Sequence, residues 1–457
     1  MRRSAAVVLL IAFSLLPRGS LAGSHAIDAE SDRVRSLVEA YASTGHFHGC
    51  ALVARGDGVI YRGALGLAQR EWKIPLTPDT RFMIGSLSKA FTATVVLQLI
   101  EEGRLSLDTP ISDLLPGFPG EAGKRITVRH LLTHTSGLGN HDRIPGFESS
   151  LERVPHGRAE MIEMIGAMEP VSEPGGGFTY SSFGYDLLAF ACERLEGRPF
   201  AEVLEERIFG PAGMRDTRLD DFRRLESRRA YGYEYDLVPG FENASLVDPS
   251  NVVGGGGLLS TVDDLHRWVR ALSAGRLLPA SRLSEMGRPL VGTGEGAGYG
   301  YGWFVSTSEG GETELWHPGS TNGFTSFIYW TPGNDEIEIL LSNVRSHLLW
   351  GNRRYKLATL RDGIRSILAG GSVPTPKGSA VMAVSPVAVR SGGRAAVAAY
   401  RRLSPEREQE LYFDELELNA LGLHLLFKQG RVDDALEVLT LNVEEHPRSY
   451  NVHDTLG

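Results

Sequence analysis

The sequence predicts an α+β fold: an antiparallel sheet flanked by helices, an inserted all-helical subdomain, and a small α-helical C-terminal segment. Three observations predict it. Two strand-like runs joined by Gly56-Asp57-Gly58 stand early in the chain. Four more strand-like runs cluster between residues 302 and 341. Between these groups the helix signals dominate. The early strands are therefore expected to join the late ones in one sheet, with the middle beside it.

The elements follow in order. Arg2 and Arg3, the apolar run Ala5–Leu16, Pro17 and the small residues of Ser20-Leu21-Ala22 read as an export signal over residues 1–22. The apolar run is too short to span a bilayer, so no transmembrane anchor is expected in the mature chain, which is placed in the periplasm or outside the cell. Asp32–Ser43 carries Val34, Leu37, Val38 and Tyr41 on one helical face. The hairpin strands are Cys50–Arg55 and Val59–Leu67. A long helix is expected over Ser86–Glu102, closed by Gly103. Shorter helices should start near Thr127, Ser181 and Ser260, the last from a capping sequence ahead of Leu265, Trp268 and Leu272. The late strands are Gly302–Val305, Glu314–His317, Gly323–Trp330 and Glu336–Leu341, and a helix follows over Tyr355–Leu368.

The 457 residues exceed what one core usually holds, so a second unit is expected. Residues 30–368 form the main domain, residues 369–384, with Gly370-Gly371-Ser372 and two prolines, the linker, and residues 385–457 a helical segment. Gly430, Ala435 and Pro447 stand at the spacing of a tetratricopeptide repeat, a surface for a protein partner. Apolar residues at 42% and charged residues at 23% fit a soluble globular chain. The net charge of −9, with no basic block, excludes nucleic acid as a partner. Two cysteines, Cys50 and Cys192, each in an apolar stretch, read as separate buried thiols rather than a disulfide framework.

Three patterns carry chemistry. Ser86-Leu87-Ser88-Lys89 opens the long helix, and its spacing puts hydroxyl and amine on one face, one turn apart. A serine hydroxyl attacks well only when a neighbouring base takes its proton. Tyr180-Ser181-Ser182 precedes the next helix. An ammonium nearby would lower the tyrosine's pKa and make it a general base. His317-Pro318-Gly319-Ser320 lies at a strand end, where Gly319 would let a substrate backbone approach. The backbone N–H groups of Ser86 and Ser320 would then form an oxyanion hole.

Together with Leu131-Leu132-Thr133-His134-Thr135-Ser136-Gly137-Leu138, Gly255-Gly256-Gly257-Leu258 and Phe82–Lys89, these patterns resemble the serine β-lactamase-related and penicillin-binding-protein family over residues 30–368. That family includes class C β-lactamases, D-Ala-D-Ala carboxypeptidases, D-aminopeptidases and esterases. The resemblance implies an acyl-enzyme on Ser86, Lys89 as its proton acceptor and Tyr180 as relay and base. It places Ser182, His317, Gly319 and Ser320 at the substrate, which would be a small molecule or peptide. No cofactor is implied.

Two departures bear on the substrate. Ser182 stands where the family has asparagine and lacks the paired amide donor and acceptor. His317 stands where the family has lysine, and a neutral imidazole attracts a carboxylate less than an ammonium does. Weak β-lactam hydrolysis and easier ester hydrolysis are expected. The alternative is a slow-acylating or inactive module that binds peptidoglycan or β-lactams and recruits a partner through its tail. His130 and His134 stand at a zinc-compatible spacing, but no further ligand accompanies them, and structural roles and no metal are expected.

Overall fold

The computed structural model describes residues 21–147, 149–236, 240–294, 296–308, 310–346, 357–407 and 409–456. The export segment lies outside the described residues except for Leu21 and Ala22, which belong to the first helix, α1 (Leu21–Ser43). The strands β1 (Gly49–Arg55) and β2 (Gly58–Leu65) form the expected hairpin. Six later strands complete an eight-stranded antiparallel sheet: β3 (Val291–Gly292), β4 (Gly298–Tyr299), β5 (Phe304–Thr307), β6 (Thr313–Thr321), β7 (Phe324–Thr331) and β8 (Glu336–Ser342). The spatial order is β3-β4-β5-β6-β7-β8-β1-β2, so β8 pairs with β1, with Gly49 opposite Ser342.

The sheet is buried on both faces, which explains its nearly continuous apolar strands. Side chains alternate along β1: Cys50, Leu52 and Ala54 face the larger core, Ala51 and Val53 the smaller. The smaller core lies under α1 and the helix Leu357–Leu368, where Val34, Leu37 and Val38 meet Leu360 and Ile364. The larger core joins the sheet to the helical middle. Its helices are α2 (Ser88–Glu101), α3 (Val128–Leu132), α4 (Ser182–Glu196) and α5 (Val262–Ser273). Trp268 of α5 stacks between Phe91 (4.0 Å) and Trp303 (5.5 Å), tying α5, α2 and the sheet together. Such aromatic pairs add about 0.5–1.5 kcal/mol beyond burial.

The local signals acted largely as expected. Thr127, Ser181 and Thr261 accept backbone N–H bonds as N-caps of α3, α4 and α5. Gly103 takes φ +71° after the long helix. The first helix starts at Leu21, earlier than expected, and two boundaries in the late strands moved as well. The strand expected from Gly302 starts at Phe304, because Gly302 adopts φ +79° and abuts Ala90 of α2. The run through His317 continues as strand to Thr321, held by β7 residue for residue. β5 pairs with it only as far as Trp316, so Pro318 sits on an open edge, where proline is tolerated.

The expected linker, residues 369–384, is shorter. Ser379 caps a helix over Ala380–Ser391, accepting from the Met382 N–H, and this local cap ends the linker earlier than its proline and glycine content suggested. Helices follow at Gly393–Arg407, Glu415–Leu423, Val432–Glu445 and Tyr450–Leu456. Their apolar residues, among them Tyr400, Leu418, Leu421, Val438 and Leu441, form a separate core. Cys50 and Cys192 are free and buried. Among the described residues no helix is long and apolar enough to cross a membrane.

Candidate active site

The site is built around a tight turn between the sheet and α2. Phe82-Met83 pairs with Leu258–Ser260, and Ser326 Oγ donates to the Ile84 carbonyl at 2.7 Å. Gly85 then takes φ +52°, and a 3₁₀ turn over Gly85–Leu87 leads into α2. Ser86 is left partly exposed while its neighbours are buried. A Cβ on Gly85 would lie 2.8 Å from both the backbone N and O of Ser320, so only glycine lets the turn rest against β6. The Ser320 backbone is thereby brought beside the Ser86 turn, where two N–H groups can receive a developing oxyanion.

Gly319 corrects an expectation. Its missing side chain does not open the strand to substrate; a Cβ there would lie 2.1 Å from the Ile84 carbonyl and 2.1 Å from Ser326 Oγ. The space is filled by the nucleophile's own turn.

Lys89 is completely buried. Its Nζ lies 3.0 Å from Ser86 Oγ, 3.1 Å from Ser182 Oγ and 2.7 Å from the Gly255 carbonyl. Burial holds its pKa well below the usual ammonium value, against the opposing charge of Asp186. A neutral amine has two N–H donors and one lone pair. Gly255 and Ser182 take the donors, which leaves the lone pair for the Ser86 hydroxyl.

Tyr180 completes the group, the Lys89 amine lying 4.9 Å from the centroid of its half-buried ring and its phenol interacting with the Ser86 side chain. Its pKa is raised, not lowered as the sequence suggested. Burial among His134, Phe178 and Phe304 outweighs the Ser86 hydrogen bond, and the phenol stays protonated. The segment is held by His134, whose carbonyl accepts from the Thr179 N–H at 2.7 Å and whose Nδ1 accepts from the Ser181 N–H at 3.0 Å. His134 itself adopts φ +56°, an uncommon conformation for a residue with a side chain. His130 Nδ1 accepts from the Thr127 N–H at the start of α3. Both imidazoles thus serve the local backbone.

His317 lies elsewhere than its sequence position suggested. It is completely buried. Its Nδ1 donates to the Pro318 carbonyl at 2.6 Å, and its Nε2 accepts from the Tyr299 hydroxyl at 3.2 Å. Burial and the Lys89 charge push its pKa down to about 3, so the ring is neutral at any working pH. With both nitrogens committed, it packs behind Tyr180, ring centroids 6.4 Å apart, rather than meeting substrate.

A cavity of about 350 Å³ opens over Ser86, lined also by Ser182, Gly255, Ser320, Phe147 and Arg345. Its walls come from the loops after Leu138 and before Val253, whose shape sequence patterns left open. Replacing Gly85 by alanine tests the turn. The added methyl must push Ser320 away, and ester turnover should fall by about 10²–10³, the usual loss for one oxyanion donor. Turnover within twofold of wild type would show that the close approach is not required.

Two residues were missed. Asn140 Oδ1 accepts from the Ser182 N–H at 2.9 Å, and its Nδ2 donates to the Tyr180 carbonyl at 3.4 Å. Nothing in its local sequence marks it. Asp186 acts electrostatically on Lys89, and its signal was available: it is a lone, completely buried acid in the apolar run Tyr185-Asp186-Leu187-Leu188.

Fold and pocket together define a β-lactamase-type scaffold in which a serine at the cavity floor is backed by a buried lysine, with a tyrosine beside that lysine. The family described as Beta-lactamase matches residues 34–357, and the chain belongs to that family, whose relatives include esterases and amidases. It is 32% identical to "Penicillin-binding protein 4*" of Bacillus subtilis, over 68% of this chain and 71% of that protein. It is 30% identical to "Esterase EstB" of Burkholderia gladioli, over 62% of this chain and 78% of the esterase. The crystal structure of a penicillin binding protein from Bacillus halodurans superposes with a TM-score of 0.63 at 28% identity, covering 73% of this chain and 98% of that one.

Proposed function

We propose that the protein is an exported serine hydrolase that opens ester, amide or short peptide bonds through an acyl-enzyme on Ser86. The observation that carries the reading is the Ser86 hydroxyl, 3.0 Å from a completely buried amine that itself lies 4.9 Å from the Tyr180 ring centroid. In the proposed cycle, Ser86 Oγ attacks the acyl carbon and its proton passes to Lys89 Nζ. The oxyanion rests on the N–H groups of Ser86 and Ser320. Tyr180 gives its proton to the leaving group and is reprotonated by the Lys89 ammonium, which restores the amine. Water then attacks the acyl carbon, its proton returns by the same relay to Ser86, and the acid leaves. A raised pKa keeps the phenol protonated until a strongly basic leaving group takes its proton, and the phenolate then regains one from the Lys89 ammonium at once.

Efficient β-lactam hydrolysis is disfavoured on two grounds. Ser182 offers no amide to a substrate's amide side chain and is already bound to Lys89. His317 is neutral and committed within the core, and Arg345 at the cavity wall is already engaged with Asn322 (3.2 Å). The esterase among the relatives supports the same preference.

The test is intact-mass measurement across activated esters, D-amino peptides and β-lactams, with the adduct located by peptide mapping. A transient adduct on Ser86 with ester turnover is expected, and nitrocefin turnover far below that of a dedicated β-lactamase. Adducts that form and persist with every substrate class would favour a sensor. Absence of any adduct would end the reading.

A further inference from the structure

We infer that Asp186 is a positioning residue for this machinery: it clamps the Gly254-Gly255 turn whose carbonyl orients Lys89, and its charge acts on the Lys89 amine. The inference rests on the hydrolase reading of the site. Asp186 is completely buried in the second turn of α4. Its Oδ1 accepts from the N–H groups of Gly254 (2.8 Å) and Gly255 (2.9 Å), while Oδ2 is buried without a hydrogen-bond partner. On the opposite side of the turn, α2 supplies two donors. Lys89 Nζ reaches the Gly255 carbonyl at 2.7 Å, and Thr92 Oγ1 reaches the Gly254 carbonyl at 2.8 Å.

The two glycines are therefore a strap between the helix bearing the nucleophile's base and the helix that follows Tyr180. A Cβ on Gly254 would lie 2.2 Å from the Tyr185 carbonyl, and one on Gly255 2.8 Å from the Ser182 carbonyl, so the strap lies flat on α4. A buried carboxylate without an adjacent ion-pair partner is costly. Burial raises the carboxyl's own pKa, while the two glycine N–H groups and the Lys89 charge hold it down, so the pair shares its charge and the carboxylate props up the amine's proton affinity against the fall that burial imposes. The other titratable and charged groups around the pair do not substitute for it. His134, His141 and His317 are driven neutral by burial, Tyr180 and Tyr185 are held protonated by it, and Arg158 is paired with Glu193 at 2.8 Å.

Removing the Asp186 charge while keeping its acceptor should make Lys89 a weaker base, so its protonation midpoint falls. Asp186→Asn does this, since an amide oxygen can still receive the two glycine N–H groups. The chain has six lysines, so the full-length protein labelled with ¹³C at lysine Cε gives a resolvable set, with Lys89 identified by its loss in Lys89→Met. In Asp186→Asn the Lys89 midpoint should fall by about one pH unit or more, and the acid limb of fluorophosphonate labelling should move down with it. The other lysine signals at wild-type positions report that the variant is folded.

An unchanged Lys89 midpoint in folded Asp186→Asn overturns the proposal. Should that variant not fold, Thr92→Val tests the strap from the other side: labelling should slow several-fold with the Lys89 midpoint unmoved, and wild-type labelling would overturn the clamp. Wild-type protein that resists the fluorophosphonate would sink the hydrolase reading, whereas the lysine titration would still decide the charge coupling.

Discussion

Ser86→Ala should lower kcat/KM for an activated ester by on the order of 10⁶, the scale seen when a serine nucleophile is removed from a preorganised site. The alanine keeps the turn's backbone, since Gly85 and not the Ser86 side chain fixes its close approach to β6. Lys89, Tyr180 and the backbone donors remain, so a residue of catalysis over water should persist and substrate should still bind. The expected pattern is therefore a collapse of kcat with KM changed little. Fluorophosphonate labelling should vanish in step. Retention of a tenth of wild-type turnover would mean that the cavity works through another nucleophile.

Lys89→Met should slow acylation by about 10⁴ while leaving the protein folded. Methionine fills the space of the aliphatic stem in the buried channel, and the main stability loss is the unpaired Gly255 carbonyl, about 1–3 kcal/mol. The informative companion is Lys89→Arg. A guanidinium keeps a positive charge beside Ser86 but cannot accept a proton at any working pH. If the amine serves as a base, Lys89→Arg stays as inactive as Lys89→Met. If it serves only as a charge for the oxyanion or substrate, arginine restores much of the rate. In wild type, activity should rise with pH through the depressed Lys89 pKa, because only the free amine takes the Ser86 proton.

The architecture was readable from local cues that the tertiary structure reinforced. The Gly56-Asp57-Gly58 turn, the caps at Thr127 and Ser181, and the doubly buried strands each agree with the fold they occupy. Ser86 and Lys89 were visible because three residues on a helix bring two side chains together whatever lies around them. The partners of those groups were less visible. Whether Tyr180 loses or gains proton affinity depends on burial against rings from other segments, His134 and Phe304, and the fate of His317 depends on Tyr299 and on burial that no neighbour in sequence announces. Gly319 was expected to admit a substrate backbone, and only the packing shows that the Ile84 carbonyl and Ser326 take that space. The short strands β3 and β4 carry almost no pattern of their own and exist through pairing, β3 with β4 and β4 with β5.

The pairing of β1 with β8 has a consequence for how the molecule comes into being. Gly49 must find Ser342, so closure of the sheet joins stretches separated by nearly three hundred positions, and contacts that distant form slowly. The Ser86 turn also rests on Ser320, so a nascent chain that has emerged only through its helical middle already carries the serine and the lysine yet lacks the amide that would steady an oxyanion. A stalled or truncated translation product ending before β6 should therefore be inert toward esters.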